Sequence, residues 1–269
     1  ATETAPITQP PALLVVIQER GLAQLWTPTG ELLAAFATGH EQPITQISSS
    51  SVREQHLIAT GDAGGVVRLH RVHVRELRPS SPERPGVRDG VSRYLGQQTL
   101  NVTVLLQRQV KVMGADSDPP RITALAVLLQ RGVKYLVTGD TKGMISVFGK
   151  NGTFLGSIDA AIMPGAGIEG LHVHLDQLLF WAGVEWGYID LDGLEAHHVE
   201  CPEFEGRVVA AAIDVQNPSN VFVSDEHGGV WVFKINYRKY CKVDRRFPLG
   251  ARGPLEHLAS VRGFVLGLE

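Results

Sequence analysis

The chain has 269 residues, 43% of them hydrophobic and 20% charged, which disfavours disorder over most of its length and fits a folded domain with a substantial core. Lys and Arg (25) nearly balance Asp and Glu (28), and the net charge of -3 excludes a whole-molecule field that would draw the protein onto nucleic acid or anionic membrane. Two cysteines, Cys201 and Cys241, exclude a disulfide scaffold and a cysteine-rich zinc site, and no run approaches the roughly 18 consecutive apolar residues of a spanning helix.

Ala1 to Pro11 reads as a flexible arm ahead of a single domain over 12–269. Leu14 to Trp26 reads as a hairpin turning at Gly21, with an outer strand at Glu31 to Ala37 and an inner strand at Pro43 to Ser48. The segment Leu57 to His70 is clearer: an apolar run, the turn Asp62-Ala63-Gly64-Gly65, then a second alternating run. Between His73 and Thr99 the composition changes. Arg75, Arg78, Arg84, Arg88 and Arg93 lie among Pro79, Pro82, Pro85, Ser80 and Ser81, a mixture that opposes regular structure and predicts a mobile insertion over about 75–98. Those five arginines are candidate partner-binding residues, weighed against a loop that simply stays solvated.

Further on, Arg121 to Leu129 predicts an inner strand and Tyr135 to Phe148 a second clear hairpin, with its turn at Asp140 to Gly143. Thr153 to Ile158 predicts the outer strand of that unit. Asn101-Val102-Thr103 and Asn151-Gly152-Thr153 are glycosylation acceptors if the chain enters a secretory lumen, although the second also serves as an Asn-Gly turn. Gly165 to Gly170 spells a dinucleotide-binding fingerprint, but the alternating Leu171-His172-Val173-His174-Leu175 behind it predicts a strand where that motif needs a helix. His172 and His174 leave the same side of that strand and could chelate one metal, with no third ligand evident. Leu178 to Asp192 reads as a hairpin aligned on Gly187, and it carries Glu185 and Asp190.

Val208 to Val215 predicts another inner strand and Val221 to Phe233 the third clear hairpin, turning at Asp225 to Gly228. Lys234 to Arg246 mixes Arg238, Lys239 and Lys242 with Tyr237 and Tyr240. That is either a phosphate- or base-gripping strip or an outer strand whose cations discourage edge pairing, and the second is favoured. Glu256 to Val261 and Gly263 to Leu268 read as the first two strands of one more unit.

Aligned on Gly21, Gly65, Gly143, Gly187 and Gly228, the hairpins recur with a blade-length period, broken by one long gap between Gly65 and Gly143. Asp62, Asp140 and Asp225 recur at one point of that period, where a carboxylate can accept hydrogen bonds from its own turn. Gly39-His40 ahead of an inner strand, and the hairpin Leu57 to His70, resemble WD40 repeats. Where that family places Trp-Asp, the five units have Trp26, His70, Phe148, Asp192 and Phe233, none followed by Asp. The resemblance implies an all-β fold, a β-propeller of four-stranded antiparallel blades, with about five blades and the start of a sixth here. Six or seven blades in total are implied, with the ring completed beyond Glu269 or by a partner, or left incomplete.

The function expected from this reading is a non-catalytic scaffold or adaptor that binds other protein subunits, with no cofactor, no metal and no small-molecule substrate. Partner contacts are assigned to Arg75, Arg78, Arg84, Arg88, Arg93, Arg238, Lys239 and Lys242. One alternative is a ligand-binding, metal-binding or enzymatic propeller using His172, His174, Glu185 and Asp190 around the channel. Another is phosphate or RNA recognition by residues 234–246, which the net acidity disfavours. A cytoplasmic location is preferred, with a secretory lumen permitted by the Asn101 and Asn151 acceptors.

Overall fold

A computed structural model describes residues 14–17, 21–27, 30–52, 55–77, 91–95, 98–112, 119–130, 133–149, 151–160, 163, 165–174, 177–204, 206–236, 240–248, 257–261 and 264–268, in parts of some strands as backbone only. The described residues are strand and turn throughout. In chain order the strands are β1 (Leu14–Ile17), β2 (Leu22–Trp26), β3 (Leu32–Ala37), β4 (Ile44–Val52), β5 (Gln55–Asp62), β6 (Val66–Leu77), β7 (Val91–Leu95), β8 (Gln98–Lys111), β9 (Ile122–Gln130), β10 (Val133–Asp140) and β11 (Met144–Phe148). They continue with β12 (Phe154–Asp159), β13 (Gly170–His174), β14 (Gln177–Ala182), β15 (Glu185–Asp190), β16 (Glu195–His198), β17 (Val208–Ile213), β18 (Asn220–Asp225), β19 (Gly229–Asn236), β20 (Tyr240–Pro248), β21 (His257–Val261) and β22 (Phe264–Leu268).

These strands form six separate antiparallel sheets in sequence order: β1-β2-β3, β4-β5-β6-β8-β7, β9 to β12, β13 to β16, β17 to β20, and β21-β22. The first strands stand beside one another, β4 on β9, β9 on β13, β13 on β17 and β17 on β21, so the sheets stack as successive blades. Alternation in each central strand explains why they stack. In β14, Leu178, Phe180 and Ala182 join the core with the third sheet, whereas Leu179 and Trp181 join the core with the fifth. In the third sheet Val137, Ile145 and Val147 face the fourth sheet, while Leu136 and Phe148 face the second. A sheet with two apolar faces has no stable existence alone, and stacking removes both faces from water. Fully burying one such side chain contributes about 1.5–3 kcal/mol.

One expectation is corrected, at the fourth hairpin. Within the segment expected to be a mobile insertion over about 75–98, β6 runs to Leu77, β7 occupies Val91–Leu95, and β8 begins at Gln98. The register Val72↔Val104 and Val74↔Val102 carries the apolar alternation up to Arg75, and buried Val72 and Val102 pack with Leu25 and Leu33 of the first sheet. β7 then adds to β8 as a fifth strand, and residues 78–90 lie outside the described residues. The fourth hairpin, aligned on Gly187, instead turns at Gly183, which has φ 66°. Gly187 sits inside β15, where a Cβ would collide with the His197 carbonyl of β16, so its small size serves a close strand approach. The expected arm at 1–11 lies outside the described residues.

Candidate functional site at the turn end of the second sheet

The hairpin turns are built on their aspartates. Asp62 Oδ1 accepts from the Gly64 and Val66 amides at 2.9 Å each, Asp140 Oδ1 from Lys142 and Met144 at 2.8 and 3.1 Å, and Asp225 Oδ1 from His227 and Gly229 at 3.0 and 2.7 Å. All three are buried, which costs a charged group dearly unless its oxygens are satisfied. Burial raises the Asp140 carboxyl above its ordinary range despite the two amides.

The second oxygen distinguishes the blades. Asp225 Oδ2 accepts from the Trp231 indole at 2.7 Å. Asp62 Oδ2 lies 2.7 Å from His40 Nδ1, and His40 Nε2 lies 2.8 Å from Thr60 Oγ1, with the imidazole fully buried. The position that carries Trp231 in the fifth sheet, six residues after the aspartate, carries Arg68 in the second. Arg68 Nη1 donates to the Thr38 carbonyl at 3.1 Å, while its buried Nε has no acceptor. Gly39, at φ 80°, makes room for it, because a Cβ there would collide with Nη1.

Next to Arg68 the surface opens into a cleft of about 410 Å³, lined by His40, Glu41, Gln42, Asp62, Gly64, Val66, Arg68, Gln109, Lys111 and Pro119. The register Val66↔Lys111 and Arg68↔Gln109 puts these four side chains on one face of the sheet, the face turned toward the first sheet. His70 continues that face inward, its ring centroid 5.2 Å from that of Phe36 and tilted 55° to it. Burial first, then the charges of His40 and Arg68, lower its pKa to about 4, so its imidazole is neutral at pH 7. Among the described residues neither Arg68 nor Lys111 has a carboxylate within ion-pair distance.

Several predicted site residues fall elsewhere. Arg78, Arg84, Arg88, Arg238 and Lys239 lie outside the described residues. Arg75 is in β6, Arg93 in β7 and Lys242 in β20, each with its backbone described and its side chain not, so the side chains of all eight lie outside the described residues. His172 and His174 share one side of β13, and burial, then the neighbouring His174, lowers His172 to about 4. Glu185 and Asp190 occupy opposite ends of β15, and Asp190 Oδ1 takes the amides of Asp192 and Gly193 in the next turn. Among the described residues no group of three or more His, Cys, Asp or Glu is placed to hold a metal. Asn151 is exposed in the turn before β12, its Oδ1 accepting from Arg108 at 3.4 Å, and the Asn101 side chain lies outside the described residues. Sequence reasoning missed Arg68. The signal was present as an arginine at the repeat position where the fifth sheet has tryptophan.

No family model matches the chain. It is 25% identical over 249 residues to an uncharacterized membrane protein of Arabidopsis thaliana, across 88% of this chain and 35% of that protein, so it spans about a third of that relative. Among solved structures it is similar to the computationally designed Ika8 protein, with a TM-score of 0.59 and 17% identity over 95% of this chain and 64% of that one. It is also similar to a chain of the Mitotic Checkpoint Complex, with a TM-score of 0.60 and 11% identity over 91% of this chain and 66% of that one. These likenesses show an all-β fold of repeated blade-like sheets.

Proposed function

We propose that the chain forms part of a WD40-like β-propeller that serves as a non-catalytic platform for protein partners. The observation that carries this reading is the stacking itself. The second, third and fourth sheets spend both faces on their neighbours, and what they leave over is turns and outer strands on a packed frame, the arrangement on which recognition is commonly mounted. The likeness to a chain of the Mitotic Checkpoint Complex, a protein assembly by its title, supports protein partners. The placement of Glu185 and Asp190 at opposite ends of β15 weighs against the enzymatic alternative. Cross-linking and size-exclusion analysis of the full-length protein from its native source is expected to show a defined assembly. A monomer with no co-eluting protein would overturn the platform, and turnover of a screened substrate would overturn its non-catalytic character.

The relative's description as a membrane protein favours a second component, that these blades are a water-facing part of a membrane-attached protein. The exposed Asn151 acceptor supports placing them in a lumen. Full-length protein is then expected to pellet with membranes after alkaline extraction and to shift in size after glycosidase treatment, with the shift removed by Asn151→Gln. Complete extraction would overturn the attachment, and an unshifted band would overturn the lumenal placement.

A further inference from the structure

We infer that the cleft beside Arg68 docks an acidic side chain of a partner protein, with Arg68 as the anchor and Lys111 as the second cation. The inference rests on the platform reading and assigns one of its contact points.

A guanidinium offers five N–H donors, and among the described residues only the Thr38 carbonyl takes one of Arg68's. Asp62 does not serve it, because both Asp62 oxygens are already engaged, by two turn amides and by His40. Among the described residues the half-buried Arg68 is therefore placed by Gly39 and Thr38 and meets no carboxylate within ion-pair distance. A residue kept only for packing would be better as the tryptophan that closes the same corner in the fifth sheet. Among the described residues Lys111, opposite Val66 on the paired strand, is a second cation with no carboxylate within ion-pair distance; Glu41 is an exposed carboxylate of the same lining, and Gln42 and Gln109 add neutral donors. Val66 and Pro119 supply apolar wall for the methylenes of a Glu or Asp side chain. The volume of about 410 Å³ holds such a side chain with its flanking backbone. No Phe, Tyr or Trp lines the cleft, so there is no platform for stacking a nucleic-acid base. A carboxylate entering a partly desolvated site beside a guanidinium makes bidentate, charge-assisted hydrogen bonds, stronger than those of an exposed ion pair.

The test is fluorescence anisotropy on the whole chain, with a labelled Gly-Glu repeat peptide against its Gly-Gln counterpart. The Glu peptide is expected to bind on the order of tenfold or more tighter, and Arg68→Ala and Lys111→Glu are each expected to lose on the order of tenfold. Lys111 is exposed, so Lys111→Glu should leave the thermal midpoint in place and separate lost binding from lost folding. Equal affinity for the two peptides, or wild-type affinity in Lys111→Glu, would overturn the assignment. Displacement by inorganic phosphate at matched charge concentration would reassign the site to phosphate and overturn the carboxylate. Asp116 and Asp118, between Val112 and Pro119, lie outside the described residues, and binding that emerges only after Asp116→Asn with Asp118→Asn would assign the cleft to the chain's own carboxylates and overturn the partner. The platform is tested separately: partners that cross-link equally to wild type and to Arg68→Ala/Lys111→Glu sink the cleft and leave the platform standing, whereas a wild type without partners sinks the platform.

Discussion

The second and fifth sheets begin their central hairpins with the same device and finish it in opposite ways. In both, an aspartate folds its own turn through two backbone amides. In the fifth sheet Trp231 caps the carboxylate and stacks into a cluster with Phe204 and Phe233, with Arg246 4.6 Å above its ring. In the second sheet a buried histidine takes the carboxylate and the tryptophan position falls to Arg68, which opens a polar cleft instead of closing an aromatic one. The turn is common architecture, and the residue six positions later decides whether that corner becomes core or surface.

The largest effect is expected where the corner is core. Phe233 is fully buried, 4.9 Å from the Trp186 ring and 5.8 Å from Phe204, and Phe233→Ala should cost about 3–5 kcal/mol in urea denaturation. A loss below about 1 kcal/mol would show that the aromatic cluster does not hold the fourth and fifth sheets together. Next, Asp225→Ala strips acceptors from two turn amides and from the Trp231 indole and should cost about 3 kcal/mol; equal losses in Asp62→Ala would confirm that the turn, not the cap, dominates.

Acid should separate the regions further. His70 and His172 have folded pKa values of about 4 against 6.5 for the free side chain, so the unfolded chain takes up protons first. Their contribution is complete above about pH 6.5 and is lost as the pH falls toward 4. Denaturation midpoints measured across that window should decline, and His70→Phe should flatten part of the decline; an unchanged slope would remove His70 as a cause. The smallest effect is expected at Arg68. Arg68→Met replaces a side chain whose Nε has no acceptor and should change stability by less than about 1 kcal/mol, whereas Trp231→Met should cost more. The reverse order would make Arg68 a structural residue and erase the contrast.

Much of the repeat was legible because it is local. The Asp-x-x-Gly turns at Asp62, Asp140 and Asp225 are written in consecutive residues, and Gly65, Gly143 and Gly228 adopt the positive φ that those turns require. Illegible features depended on strands distant in sequence. Gly187 looked like a turn glycine because its reason for being small, the His197 carbonyl, arrives from β16. The Arg-rich insertion looked structureless because composition was weighed by residue type, while Val72, Val74, Val102 and Val104 were carrying the sheet onward. Arg68 passed as one polar residue of a hairpin, since its meaning depends on Gly39 and Lys111 lying beside it.

By itself the sequence determined the strand period, the turn chemistry and the two-faced apolar alternation, since each is set by neighbours a few residues apart and by backbone geometry. Only the tertiary structure decided which polar residues meet. His40 reaches Asp62 from 22 residues away and Arg68 reaches the Thr38 carbonyl from 30, because folding brings separate strands within hydrogen-bond range, and sequence spacing carries no record of that distance.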